Sequence, residues 1–328
     1  MKTKVFLTLL TPILIASLLS GCATLTREEA ASGRMIDPIV SADWLYANSQ
    51  LENLVIIDIR GPGDYAAGHI PGSINEPFVT AFDPCTGPTS NWIIGTKDCL
   101  WLELPGTDDL MSTIGRLGIT PDSKVVIVTA PNPKEPPFYG LANATRVADT
   151  LIYAGVNNVA ILDGGYPKWV TEGRATTKEV PAVKSVTYQA EVNKAMFVST
   201  NYVQRRMSNA VIIDARDANV YSGLAIEPFS NKAGHIPNAK SLPTPSIWNQ
   251  NPDGTYTYKD AKTLSKMTLG VIGESVDSRT QEIIVYCGVG GYASSCWFVM
   301  TQVLGYQNVK IYDGSAQEWA KNYHMVIQ

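Results

Sequence analysis

The sequence predicts an α/β protein built twice over, as two similar domains in tandem, each a mainly parallel sheet flanked by helices. Short apolar strands alternate with helical stretches along the chain, the pattern that gives parallel strands with ligand sites at their C-terminal ends. The same short elements occur twice and in the same order. The length of 328 residues is long for one domain and comfortable for two, each with its own core.

The repeat begins with Val55-Ile56-Ile57-Asp58-Ile59-Arg60 and begins again with Val211-Ile212-Ile213-Asp214-Ala215-Arg216, in each case an apolar strand ending in an acid-x-Arg turn. Asp58 and Asp214 are expected to anchor loops by pairing or capping, and Arg216 faces either a bound anion or a neighbouring acid. Gly68-His69-Ile70-Pro71 returns as Gly234-His235-Ile236-Pro237, where each His is expected to hold backbone and fix the turn. Val125 to Val128 returns as Ile283 to Tyr286. Leu162-Asp163-Gly164-Gly165 with Trp169 returns as Tyr312-Asp313-Gly314-Ser315 with Trp319, 150 residues on (312 − 162). These Asp-Gly turns precede helices expected to carry the two Trp into the core. The domain boundaries that follow are 41–176 and 196–328, with a linker at 177–195 whose Pro181 and mixed polar residues suit a crossing segment.

Ahead of the first domain, Lys2 and Lys4 precede an apolar run from Val5 to Leu19, the composition of a secretory leader over residues 1–21. Leu19-Ser20-Gly21-Cys22 resembles a bacterial lipobox. That resemblance implies cleavage before Cys22, lipid on its sulfur, and a tether over 22–40 that holds the protein to a membrane of the cell envelope without crossing it. The envelope partner, if a protein, is unspecified. Ala23 favours the outer membrane. In such a compartment disulfides persist, and Cys85 and Cys99, which bracket a polar loop, are expected to form a local bridge. Cys296, among Trp297, Phe298 and Val299, reads as core filler. Basic and acidic residues number 26 and 30, with no basic patch or charge run, so nothing points to nucleic acid.

The chemistry is expected at Cys287. Ile283 to Tyr286 makes a short buried strand, Cys287 stands at its C-terminal end, and Gly288, Val289, Gly290, Gly291 and Tyr292 lead into an apolar helix from Ala293 to Leu304. Glycines let successive N–H groups turn toward one point, and the helix adds its unpaired N-terminal donors. A thiolate in that cradle is favoured, so its pKa is expected below the free value of about 8.5. The first copy has no such site: its strand ends at Ala130, read as the counterpart of Cys287. The following Pro131-Asn132-Pro133-Lys134-Glu135-Pro136-Pro137 is poor in N–H donors. The first domain is thereby expected to serve as scaffold and as one wall of a cleft.

Paired acid-x-Arg and Gly-His-Ile-Pro elements, an empty first copy and a Cys-x-Gly-x-Gly-like turn in the second resemble the rhodanese superfamily, in its two-domain thiosulfate and mercaptopyruvate sulfurtransferases, over residues 41 to 328. The resemblance implies that Cys287 takes a sulfane sulfur from a small sulfur-containing anion, becomes a persulfide, and passes the sulfur to cyanide or a thiol, with no metal or organic cofactor. It implies that Gly288 to Tyr292 and Arg216 bind the anion. The turn departs from the family's Cys-Gly-Ser-Gly-Val-Thr form at Val289, Gly291 and Tyr292. Val220 stands where the family tends to carry an Arg, for which Lys232 is the substitute on offer. A Cys-dependent phosphatase would need an Arg at the place of Ala293. A non-turnover carrier of sulfur or another chalcogen, a subunit of an envelope complex and a structural pseudoenzyme are the readings that compete with an enzyme.

Overall fold

The computed structural model describes residues 34–131 and 137–327. The leader, Cys22 and residues 132–136 of the proline-rich segment lie outside the described residues. In the first half, β1 (Ile39–Val40), β2 (Leu54–Asp58), β3 (Ser73–Asn75), β4 (Lys124–Val128) and β5 (Asn158–Leu162) form a sheet in the order β1-β5-β4-β2-β3, parallel throughout. In the second, β6 (Phe197–Val198), β7 (Val211–Asp214), β8 (Lys240–Ser241), β9 (Ile283–Tyr286) and β10 (Val309–Tyr312) give the equivalent order β6-β10-β9-β7-β8, again parallel. Helices cover these sheets, which explains why β4 and β9 are continuous Val/Ile runs rather than alternating ones. The two copies are those expected from the repeat.

The cores of the halves merge across helix α1 (Pro137–Tyr153) and helix α2 (Gly291–Phe298), which pack on each other. Every residue of α2 from Tyr292 to Phe298 is buried, so the helix has no solvent face. Its small residues Ala293, Ser294 and Ser295 let the partner approach, and the hydroxyls of Thr145 and Ser295 meet at 2.7 Å across the contact. Arg146 of α1, fully buried, binds Asp313 at 2.7 Å and the carbonyl of Leu102, tying three segments together. Trp169 and Trp319 are buried as expected, and their indole N–H groups donate to the carbonyls of Ala175 and His324.

Two boundaries differ from the sequence reading. Residues 34–40 are part of the fold rather than tether: Ile36 and Val40 are buried, and β1 adds an edge strand to the first sheet, where two ladder residues suffice. The segment 177–195 has no regular structure, yet it is tied to the first half. Thr177 bridges to His69, Val186 N–H donates to the Gly115 carbonyl, and the buried Tyr188 donates its hydroxyl to the Ala154 carbonyl. Register also moves the counterpart of Cys287. Asp58 pairs with Val128 as Asp214 pairs with Tyr286, and the N–H groups of Tyr166 and Ala316 bind the carbonyls of Thr129 and Cys287 at 2.9 Å each. Thr129, one residue before Ala130, therefore occupies the position of the thiol.

Candidate active site

The acid-x-Arg elements build a frame behind the site. Arg216 is 1% exposed and lies along Asp214, with Nε at 3.0 Å and Nη2 at 2.6 Å from the carboxylate oxygens, while Nη2 also donates to the Gly234 carbonyl at 2.7 Å. Tyr286 adds its hydroxyl to Asp214 at 2.6 Å. A buried guanidinium needs this much pairing to offset its lost hydration. Arg216 is thus committed to protein groups and does not line the cavity at Cys287, contrary to the anion-binding expectation. Lys232 is likewise turned away, its Nζ donating to the Tyr323 carbonyl at 2.8 Å. His235 stacks on Tyr221 at 3.8 Å between ring centres and meets the Tyr221 carbonyl through Nδ1 at 2.9 Å, a structural role.

Cys287 sits directly after β9, in the centre of its sheet, and the turn is held from both sides. Its N–H donates to the Ser315 hydroxyl at 3.3 Å, and the N–H groups of Ala316 and Gln317 donate to the carbonyls of Cys287 and Gly288. The Gly290 N–H points at the Cys287 sulfur, 3.0 Å away, and the amides of Ala293 and Val289 also favour the thiolate. Gly290 needs its glycine, since its φ of 98° lies in the left-handed region. Gly288 needs its own for space: a Cβ there would come within 2.3 Å of the Phe229 ring and 2.6 Å of the Glu227 carboxylate.

The thiol pKa nevertheless goes the opposite way from the sequence expectation. Burial pushes it up, and the Glu227 charge adds to that, while the three amides oppose both. Cys287 is 3% exposed, at the floor of a cavity of about 320 Å³ lined also by Gly288, Val289, Gly291 and Tyr292 of the turn. The sulfur is therefore secluded but faces a chamber.

Glu227 is the residue the sequence reading missed. It is reached through an insertion: the Arg-to-Gly-carbonyl bond spans eight residues in the first half and eighteen in the second, and the His-to-Tyr-carbonyl contact spans four and fourteen. Ten extra residues lie between Tyr221 and Gly234, and they bring Glu227, Pro228 and Phe229 over the thiol. That length difference was the signal available in the sequence. Burial pushes the Glu227 carboxyl up to about 7, with Arg216, 3.6 Å from Oε2, pulling the other way.

The opposite wall comes from the first half. Cys85 and Cys99 form a disulfide in the loop that supplies Phe82, Pro88, Trp101 and Leu102 to the cavity. Trp101 Nε1 donates to the Cys85 carbonyl at 2.7 Å, and its backbone exchanges two hydrogen bonds of 2.8 Å with the Gln317 side chain of the second half.

A single thiol on an amide-lined turn at the end of a central parallel strand, beside a copy of its own domain that lacks the thiol, defines a cysteine-based group-transfer protein. Both halves match the Rhodanese-like domain family, over residues 41–172 and 199–322, and the chain belongs to it. It is 28% identical to a Synechococcus elongatus protein named "Putative thiosulfate sulfurtransferase", over 97% of this chain and 93% of the relative. It is 29% identical to the sulfur carrier protein TtuD of Thermus thermophilus, over 86% of this chain and 93% of that one. Among solved structures, the anaerobic ergothioneine biosynthesis enzyme of Chlorobium limicola shares the fold, with a TM-score of 0.70 at 20% identity, covering 89% of this chain and 71% of that one. The chain is a rhodanese-type sulfurtransferase or sulfur carrier.

Proposed function

We propose that Cys287 carries the sulfur as a persulfide, taking it from a thiosulfate-, mercaptopyruvate- or persulfide-like donor and delivering it to a thiol or cyanide. The observation that carries this reading is the Gly290 amide aimed at the Cys287 sulfur, itself 3% exposed on the floor of a cleft. With an organic persulfide as donor, the Cys287 thiolate attacks the outer sulfur of R–S–SH. A Cys287–S–SH group forms and RS⁻ leaves. An acceptor thiolate then attacks the outer sulfur, and the Cys287 thiolate is the leaving group, stabilised by the amides of Val289, Gly290 and Ala293. Seclusion of the sulfur suits a persulfide, which water and stray thiols would otherwise discharge. The cavity has no Lys, Arg or His among its described lining residues, which favours a persulfide-like donor over the two anions.

Steady-state cyanolysis tests this: thiocyanate release from a sulfane donor is expected to vanish in Cys287→Ser, and unchanged turnover would eliminate the mechanism. The raised thiol pKa gives weight to a second reading, a carrier that holds its sulfur without fast turnover. That reading expects stable loading of Cys287 in intact mass and little multiple turnover. The lipobox-like segment supports placing this activity at the cell envelope on a lipid at Cys22, beside a protein partner there. Labelling of the full-length protein with a radioactive fatty acid, lost in Cys22→Ala, is the corresponding test.

A further inference from the structure

We infer that the chamber over Cys287 selects a cationic organic thiol, an ammonium-bearing molecule, as the acceptor of the sulfur; this rests on the persulfide reading above. The wall is aromatic on several sides, with Phe82 and Trp101 from the first half, Tyr139 from α1, Phe229 from the insertion and Tyr292 from the turn. Trp101 and Phe229 lie 5.6 Å apart between ring centres, and Tyr139 and Tyr292 lie 5.3 Å apart. Ring faces of this kind attract ammonium groups through their quadrupole.

The charge in the chamber has the matching sign. Glu227 is the one charged residue among the described lining residues. Its carboxylate stands over Gly288, close enough that a Cβ on that glycine would clash with it. Its Oε2 is buried without a hydrogen-bond partner, although the side chain is 12% exposed. Arg216 Nη1 faces that oxygen at 3.6 Å, an ion pair too long for a hydrogen bond. The same guanidinium binds Asp214 and the Gly234 carbonyl through Nε and Nη2, so its charge is shared between two carboxylates. A carboxylate oxygen with no hydrogen-bond partner beside the nucleophile is a place for an incoming N–H⁺ donor, whereas an anion there meets like charge. Burial raises the Glu227 carboxyl to about 7 in spite of Arg216, so an ammonium entering the chamber supplies a further cation that favours its ionised form. A cavity of about 320 Å³ suits a small molecule rather than a protein chain.

The test is discharge of the loaded protein. Cys287 is charged with polysulfide, the excess is removed, and loss of the extra sulfur is followed by intact mass with cysteamine, 2-mercaptoethanol or mercaptoacetate, each rate corrected for the thiol's ionised fraction. Cysteamine is expected to act about tenfold faster than mercaptoacetate, the ratio falling in Glu227→Gln, which keeps the aromatic walls, and inverting in Glu227→Lys. Equal rates in the parent protein, or a ratio left unchanged by Glu227→Gln, would overturn the inference and leave sulfur transfer standing. Should Cys287 take up no sulfur, the persulfide reading fails by itself. Equilibrium binding of S-methylcysteamine against the carboxylate (methylsulfanyl)acetate to Cys287→Ser then decides the charge selection: preference for the ammonium compound supports it, and none overturns it.

Discussion

The two halves of this molecule share a frame nearly to the hydrogen bond and differ where chemistry would occur. Arg60 meets Asp58 at 2.6 Å and Arg216 meets Asp214 at 2.6 Å. The two guanidinium groups reach the Gly68 and Gly234 carbonyls at 2.9 and 2.7 Å, and the His rings stack on Tyr65 and Tyr221 at 3.7 and 3.8 Å. Against that sameness, Thr129 holds the place of Cys287, and only the second half has the ten added residues that carry Glu227 and Phe229. The frame is therefore a requirement of folding, and an acid-x-Arg element says nothing about activity. What makes one copy active is the atom at the end of the central strand and the loop folded over it.

The comparison breaks most readily at the ion pairs. Arg60→Ala and Arg216→Ala each strand a buried carboxylate, and both are expected to cost about 3–5 kcal/mol in denaturant unfolding. A large loss for Arg216 with almost none for Arg60 would mean that the halves are not equivalent frames. Glu227→Gln comes next. An acid raised from 4.5 to about 7 prefers its protonated form in the folded state, so its contribution is fully present below pH 4.5 and is lost as pH rises through 7. The Gln variant is expected to match the parent near pH 4 and to exceed it at pH 8 by up to about 3 kcal/mol. Because the Glu227 charge raises the thiol, the same variant is expected to shift the pH profile of Cys287 alkylation to lower pH. The smallest effect is at Thr129, whose hydroxyl donates to the Gly140 carbonyl at 2.7 Å. Thr129→Val is expected to cost about 1 kcal/mol and leave sulfur transfer intact, as befits an inert copy.

Sequence reasoning reached what local pattern controls. The strands ending in Asp58, Asp214 and Cys287, the Asp-Gly turns before Trp169 and Trp319, and the glycine-rich turn are each fixed by residues adjacent in the chain. It stumbled where distant segments decide. Whether Arg216 faces an anion or Asp214 depends on how tightly β7 is buried. The one-residue placement of Thr129 rather than Ala130 depends on strand register. The thiol's direction of shift depends on burial and on Glu227, sixty residues away (287 − 227). Amides of the turn were legible as donors, but the desolvation that outweighs them was not.

The most direct measurement is the position of the sulfur itself. After exposure to a sulfane donor and digestion under non-reducing conditions, peptide mass is expected to show one added sulfur on the peptide bearing Cys287, located there rather than at Cys296 by fragmentation, and released as thiocyanate when cyanide is added. Sulfur found on Cys296, or loading that persists in Cys287→Ser, would contradict the account.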